Sequence, residues 1–187
     1  RGYARGVTSG PGRCSTPSLC ATHTTNRMDT IMSEYAHTLA EVDERPVAVI
    51  GAGTLGRRIA MMFATRGGRV SIYDQNPEQR SAAVDFVSST IPEALAVIGK
   101  GTAGTVTAAD GLADAVHGAW LVVEAVPERL DIKIPLWGEI DAVAEEDAIF
   151  ATNSSSYASS TMIEKVGDPT RMCNMHFYMP PQSNAVD

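Results

Sequence analysis

The run Val47-Ala48-Val49-Ile50 leads without a break into Gly51-Ala52-Gly53-Thr54-Leu55-Gly56, and a helical pattern from Arg57 to Ala64 follows at once. No other feature of the chain limits its fold so tightly. A short β-branched run after the punctuating Pro46 suits a strand buried on both faces of a parallel sheet. Glycines spaced Gly-x-Gly-x-x-Gly between a strand and a helix make a turn whose backbone can lie against a diphosphate. Gly51 is expected to permit the tight turn, Gly53 to let the backbone approach the pyrophosphate, and Gly56 to let the helix pack close to the strand. Thr54 and Leu55 complete the loop, at a helix N-terminus whose unpaired N–H groups would face the phosphates.

A second strand, Arg69-Val70-Ser71-Ile72-Tyr73, ends at Asp74, which follows Gly51 by 23 residues. That spacing places a carboxylate where a ribose 2′-hydroxyl would donate to it. Asp74 would repel a 2′-phosphate, and neither Gln75 nor Asn76 supplies a cation to bind one. The expected cofactor is therefore NAD rather than NADP.

Further along, Asn76-Pro77-Glu78-Gln79 opens a helical stretch with Val84 and Val87 on its apolar face, and Pro92–Ile98 reads as a second helical piece. Gly101–Gly104 reads as a flexible interruption. Ala119–Ala125 is a third buried strand, and Leu130–Ala144 an amphipathic helix with Leu130, Ile134, Trp137 and Ile140 on its core side. Pro135 fits best near the start of that helix. Asp147–Thr152 is the next strand, Ser159–Val166 the next helix, and Met172–Phe177 a last strand that carries His176. Alternating strands and helices predict an α/β fold with a doubly wound, mostly parallel sheet of the Rossmann type, its ligands at the carboxyl ends of the strands. Glu124, the run Asn153-Ser154-Ser155-Ser156 and His176 all fall at such ends. A serine run there also suits a helix cap.

Residues 1–45 are set apart as a disordered leader or targeting segment, and residues 46–187 as the nucleotide-binding domain. Within the leader, residues 1–28 hold Arg1, Arg5, Arg13 and Arg27 and no acid, with many Ser, Thr, Gly and Pro. That composition cannot bury enough apolar surface to fold alone. It fits a mitochondrial transit peptide. It fits equally a translated upstream stretch or expression remnant, with the start at Met28 or Met32, so a mitochondrial and a cytoplasmic location both stand open. Ser33–Arg45 is polar and helix-compatible. A net charge of −7 argues against a nucleic-acid partner. No uninterrupted apolar run reaches the ~18 residues of a membrane span. The three cysteines, Cys14, Cys20 and Cys173, form neither a disulfide framework nor a metal pattern; Cys173 reads as a small core residue.

Four segments together carry a resemblance: Val47–Gly56, Leu121-Val122-Val123-Glu124-Ala125-Val126-Pro127-Glu128, Ala151-Thr152-Asn153-Ser154-Ser155-Ser156, and Met175-His176-Phe177-Tyr178-Met179-Pro180. Over roughly Pro46–Asp187 the chain resembles the NAD-binding domain of the L-3-hydroxyacyl-CoA dehydrogenase family. The resemblance implies NAD-dependent oxidation of a 3-hydroxyacyl-CoA to the 3-ketoacyl-CoA, a reaction of fatty acid metabolism. His176 matches the family's catalytic base and Ser155 the serine that contacts substrate. Asp187 matches the acid that orients the histidine, if one residue is deleted between the two motifs. Asn153 lies in the cofactor-side motif, and Glu124 matches an acid near the nicotinamide. The resemblance also implies a C-terminal helical domain, absent from this chain, that closes the site and forms a homodimer. The chain is accordingly expected to be an incomplete form.

The chain departs from the family pattern in places. Met179 stands where Asn is usual, Asn174 replaces a common Gly, and the region between the second and third strands of the reading above is short. The three lysines, Lys100, Lys133 and Lys165, include no obvious anchor for CoA phosphates. Dehydrogenation of a free 3-hydroxy acid or sugar acid, of the β-hydroxyacid or L-gulonate type, is the alternative reaction. A β-hydroxyacid enzyme of the phosphogluconate kind would use a catalytic lysine instead, and a non-catalytic NAD-binding protein is the reading from another class.

Overall fold

The structure, a computed structural model, describes residues 39–181. Most of the expected leader lies outside the described residues. The last part of that segment is helical, α1 (Leu39–Glu44), in keeping with the helix-compatible reading of Ser33–Arg45. The elements then run β1 (Val47–Ile50), α2 (Gly56–Ala64), β2 (Arg69–Tyr73), α3 (Pro77–Ile98), β3 (Thr105–Ala108), α4 (Leu112–Val116), β4 (Leu121–Glu124), α5 (Leu130–Asp141), β5 (Ile149–Thr152) and β6 (Met172–Asn174). Three single turns of 3-10 helix, Ser159–Thr161, Ile163–Lys165 and Pro169–Arg171, lie between β5 and β6.

The six strands form one sheet in the order β3-β2-β1-β4-β5-β6. Every pairing is parallel. The doubly wound Rossmann arrangement follows from where the chain turns back. From β1 it steps outward through β2 to β3, then returns to lay β4 on the other side of β1. The seam between β1 and β4 is the switch point at which such sheets bind ligands.

Alternation along the strands feeds two cores. Val47 and Val49 of β1, with Leu121 and Val123 of β4, join Ile59, Ala60 and Met61 of α2 and the stripe Ala83, Val87, Ile91 and Ala94 of α3. Ala48 and Ile50, with Val122 and Phe150, join Trp137 and Ile140 of α5 on the opposite face. Trp137 is fully buried against Phe150 at 5.4 Å between ring centroids, the core role expected of it. The helix α3 has the length and apolar composition of a membrane-crossing helix. Its buried stripe is packed into the first of these cores.

Several elements differ from the sequence reading. The two helical pieces expected after Asn76 are one 22-residue helix that runs through Pro92, capped by Asn76, whose side chain accepts from Glu78 N–H at 2.9 Å. Pro92 is exposed, so the backbone group deprived of its partner is on the solvent side. The stretch after Gly104 holds β3, an edge strand with no fully buried residue and hence no apolar run to announce it. Ser159–Val166 is not a helix but two 3-10 turns. The last strand stops at Asn174, so His176 lies in the loop beyond β6 and not on it. Cys173 is exposed rather than core, because β6 is the outer strand of the sheet.

Candidate active site

The loop after β1 has the geometry a diphosphate needs. Gly51 has φ +105°, and a Cβ there would come 2.7 Å from the Ala125 carbonyl oxygen at the end of β4. A Cβ on Gly56 would lie 1.8 Å from the Gly51 carbonyl oxygen, so α2 can start this close to β1 only from glycine. At Gly53 the space beside the backbone is open, with no heavy atom within 4 Å of an added Cβ. Among the described residues, the N–H groups of Gly53, Thr54, Leu55 and Gly56 have no acceptor. The first turn of α2 contains no acid, and Arg57 and Arg58 sit there with their guanidinium groups over the Phe86 ring. Open approach, unpaired donors and positive potential together fit an anionic dinucleotide.

Asp74 faces this loop. Its Oδ2 accepts from Ala52 N–H at 2.9 Å and its Oδ1 from Asn76 N–H at 3.0 Å. Each carboxylate oxygen keeps a lone pair for a ribose hydroxyl. One cation near the end of β2 escaped the sequence reading. Arg80, on the first turn of α3, donates to the carbonyls of Asp74 and Asp110 and lies over Tyr73. A cleft of about 560 Å³ opens beside Asp74, walled by Ile50, Tyr73, Val126, Pro127 and Leu136, and suits the adenosine half of the cofactor.

The other end of the crevice is built on buried ions. Strand alternation turns Glu124 to the α5 side of the sheet, and register sets Thr152 directly beside it. Lys133, one turn into α5, meets it there. Its Nζ lies 2.7 and 2.9 Å from the Glu124 carboxylate oxygens, and both side chains are almost wholly buried. Thr152 Oγ1 donates to Glu124 at 2.6 Å and Val126 N–H at 2.8 Å. Glu124 is therefore enclosed and satisfied on every side, not presented to a ligand. Lys133 also pairs with Glu128 at 3.1 Å, and Glu128 accepts from the Ser154 hydroxyl and from Ser156 N–H. Burial raises the Glu128 pKa, but the bonds from Ser154, Lys133 and Ser156 outweigh it and hold the group below its ordinary value. The Glu128 side chain is 37% exposed, so it is the carboxylate of this network that reaches solvent.

The sequence reading gives neither Glu128, quoted only within a motif, nor Lys133, weighed only as a CoA anchor, a role in this network. The signal was there in Glu-Ala-x-x-Glu followed by a lysine one helical turn into α5. Ser154, buried, donates to Glu128 and accepts from Tyr157 N–H, a turn bond and not the expected helix cap, since the 3-10 turn that follows has Ala158 at its N-cap and no side-chain cap. Ser155 next to it is exposed. Asn153 Oδ1 accepts from Phe177 N–H at 2.9 Å, which ties the serine loop to the His176 loop. His176 is half-buried, its ring 4.8 Å from that of Tyr178 between centroids. Asp187, expected to orient His176, lies outside the described residues.

Residues 46–186 match the family model described as 3-hydroxyacyl-CoA dehydrogenase, NAD binding domain. The chain is 38% identical over 152 residues to an L-carnitine dehydrogenase of Nocardiopsis dassonvillei, a match covering 80% of this chain and 46% of that protein. It is 32% identical over 149 residues to the 3-hydroxyadipyl-CoA dehydrogenase of Escherichia coli K12, covering 74% of this chain and 30% of that one. Among solved structures it superposes on the 5-formyl-3-hydroxy-2-methylpyridine 4-carboxylic acid 5-dehydrogenase, described as an NAD+ dependent dismutase. The TM-score is 0.67 at 34% identity, covering 74% of this chain and 46% of that one. The chain thus spans less than half the length of these relatives.

Proposed function

Because the chain belongs to the 3-hydroxyacyl-CoA dehydrogenase family, and carries its NAD-binding domain, we propose that the whole protein oxidises the 3-hydroxy group of a 3-hydroxyacyl-CoA to the 3-keto group, with His176 as general base. The observation that carries this reading is the Asn153–Phe177 hydrogen bond, which joins the serine loop after β5 to the histidine loop after β6, at the same carboxyl end of the sheet as the β1/β4 seam. When bound, NAD supplies the hydride acceptor. Gly51, Gly53, Thr54, Leu55 and Gly56 hold its diphosphate and Asp74 its adenosine ribose. Glu128, rather than Glu124, meets the nicotinamide half, with Glu124 and Lys133 fixing it from below. Asn153 keeps its side-chain N–H donors for the cofactor while its carbonyl holds Phe177.

His176 takes the proton of the 3-hydroxyl as the carbon–hydrogen bond beside it breaks, and returns that proton in the reverse direction. Imidazole suits both tasks because its ordinary pKa lies near neutrality. Ser155 donates to the same substrate oxygen, and an acid near the chain end, Asp187 in this sequence, orients the imidazole. Residues 46–187 serve as the nucleotide-binding domain. A further helical domain of the whole protein closes the crevice and pairs two chains.

A second reading, oxidation of a free hydroxy acid, is favoured by one observation. Lys133 is buried between two carboxylates, so it is not placed to take a CoA phosphate. The test is NADH oxidation by the complete protein with acetoacetyl-CoA, acetoacetate and a 3-keto sugar acid in parallel. Turnover with the CoA ester alone, lost in His176→Ala, is the expected result. Turnover with the free acids alone keeps the mechanism and removes CoA. NADH binding without turnover of any of them overturns the catalytic reading and leaves a binding protein.

A further inference from the structure

We propose that Asn174 is a positioning residue, whose side chain clasps the serine loop to the end of β6 and so fixes Ser155 relative to His176. The proposal rests on the roles given to Ser155 and His176 above.

Asn174 ends β6, two residues before His176. Although it is exposed, its amide is fully engaged across the gap to the other loop. Its Nδ2 donates to the carbonyls of Ser154 at 3.3 Å and Tyr157 at 3.0 Å, and its Oδ1 accepts from Ser159 N–H at 2.7 Å. Those three backbone groups bracket the loop from its first residues to its last, and Ser155 lies between them. An amide that only ended an edge strand would be left to water, as most exposed polar side chains are.

The Asn153–Phe177 bond runs in the opposite sense, from a side chain of the serine loop to the backbone beyond His176. The two asparagines therefore cross-tie the loops, with three bonds from the Asn174 side chain and one from that of Asn153. This matters because the loop between β5 and the first 3-10 turn has no helix or strand of its own to stiffen it. Two groups that must meet one substrate oxygen are sensitive to displacement, and about 1 Å of misplacement can lower a rate roughly a hundredfold.

The test uses the complete protein and the variants Asn174→Ala and Asn174→Asp. The second keeps an acceptor for Ser159 N–H and loses both donors. Each is expected to lower kcat by about tenfold or more, to leave the NADH dissociation constant within about twofold, and to speed amide hydrogen exchange at Ser155–Ser159 by about tenfold while the Gly53–Gly56 amides are unchanged. Should one variant not fold, the other carries the comparison. Loop exchange equal to wild type in a folded variant overturns the clasp. Faster exchange with unchanged kcat overturns its role in positioning. A wild-type protein that turns over no hydroxy or keto substrate is a different failure, since it removes the dehydrogenase reading on which the proposal stands.

Discussion

A methyl group added at Gly56 would lie 1.8 Å from the Gly51 carbonyl oxygen, whereas one added at Gly53 would have no heavy atom within 4 Å. The same substitution should therefore have opposite signatures at the two positions. Gly56→Ala forces α2 away from β1 and is expected to cost about 1–3 kcal/mol of stability, as overpacking usually does, with NADH binding lost alongside. Gly53→Ala should leave unfolding by urea unchanged and weaken NADH binding alone, because its methyl occupies the path of the diphosphate. Fluorescence titration with NADH beside urea denaturation separates the two. The buried pair offers a similar contrast. Lys133→Met leaves Glu124 charged and uncompensated where neither side chain meets water, and should destabilise the domain by about 3–5 kcal/mol. The double variant Lys133→Met with Glu124→Gln should recover part of that loss. Equal stability of the single variant and wild type in urea would show that the pair is not the anchor of this corner.

At the scale of elements, the joint between the segment leading into α5 and the serine loop runs through one carboxylate. Glu128 holds Ser154 and Ser156, and its pKa is held below the ordinary value. A group depressed in the folded state contributes stability that is present above its unfolded pKa and is lost as the pH falls through the folded value. Acidification from about pH 6 to about pH 3, across the ordinary carboxylate range, should therefore loosen the serine loop in wild type. It should do so less in Glu128→Gln, which has already lost that contribution; hydrogen exchange at Ser154–Tyr157 against pH is the measurement. Elements of this kind were unevenly legible in the sequence. β1, β4 and β5 announce themselves as apolar runs because a central parallel strand is covered on both faces. β3 does not, since an edge strand with solvent on it carries Thr105 and Thr107 where a central strand carries valine. The union of the two helical pieces at Pro92 was hidden because a proline signals a break, and only the position of its solvent-facing side decides otherwise. In the site, the gathering of Gly51, Gly53, Gly56 and Asp74 at one loop was legible because their spacing along a strand–turn–helix–strand unit brings them together. The network of Glu124, Lys133, Glu128 and Ser154 was not, since it depends on strand register and helix phase meeting in space.

For the molecule as a whole, the question is how a chain of net charge −7 holds an anionic dinucleotide and which one it prefers. The winding of the sheet answers the first part: it gathers unpaired N–H groups and the start of α2 at one seam, so positive potential is local even where the total is negative. Asp74 is expected to answer the second, since a carboxylate facing the glycine loop would repel a 2′-phosphate and accept from a ribose hydroxyl. A ligand that binds only the folded state raises its stability by about 2.7 kcal/mol at a hundred times its dissociation constant. For a domain of this size that corresponds to a rise of roughly 5–10 °C in Tm. NADH at that excess should produce such a rise, and NADPH at the same concentration should produce almost none. Asp74→Ala should shrink the NADH rise more than it lowers the Tm of the unliganded protein, since the ribose hydroxyls lose their acceptor while the unliganded protein loses two exchangeable backbone bonds, from Ala52 and Asn76. Equal shifts with NADH and NADPH in wild type would mean that Arg80 or the first-turn arginines of α2 reach the 2′ position after all, and that the carboxylate at the end of β2 does not select the cofactor.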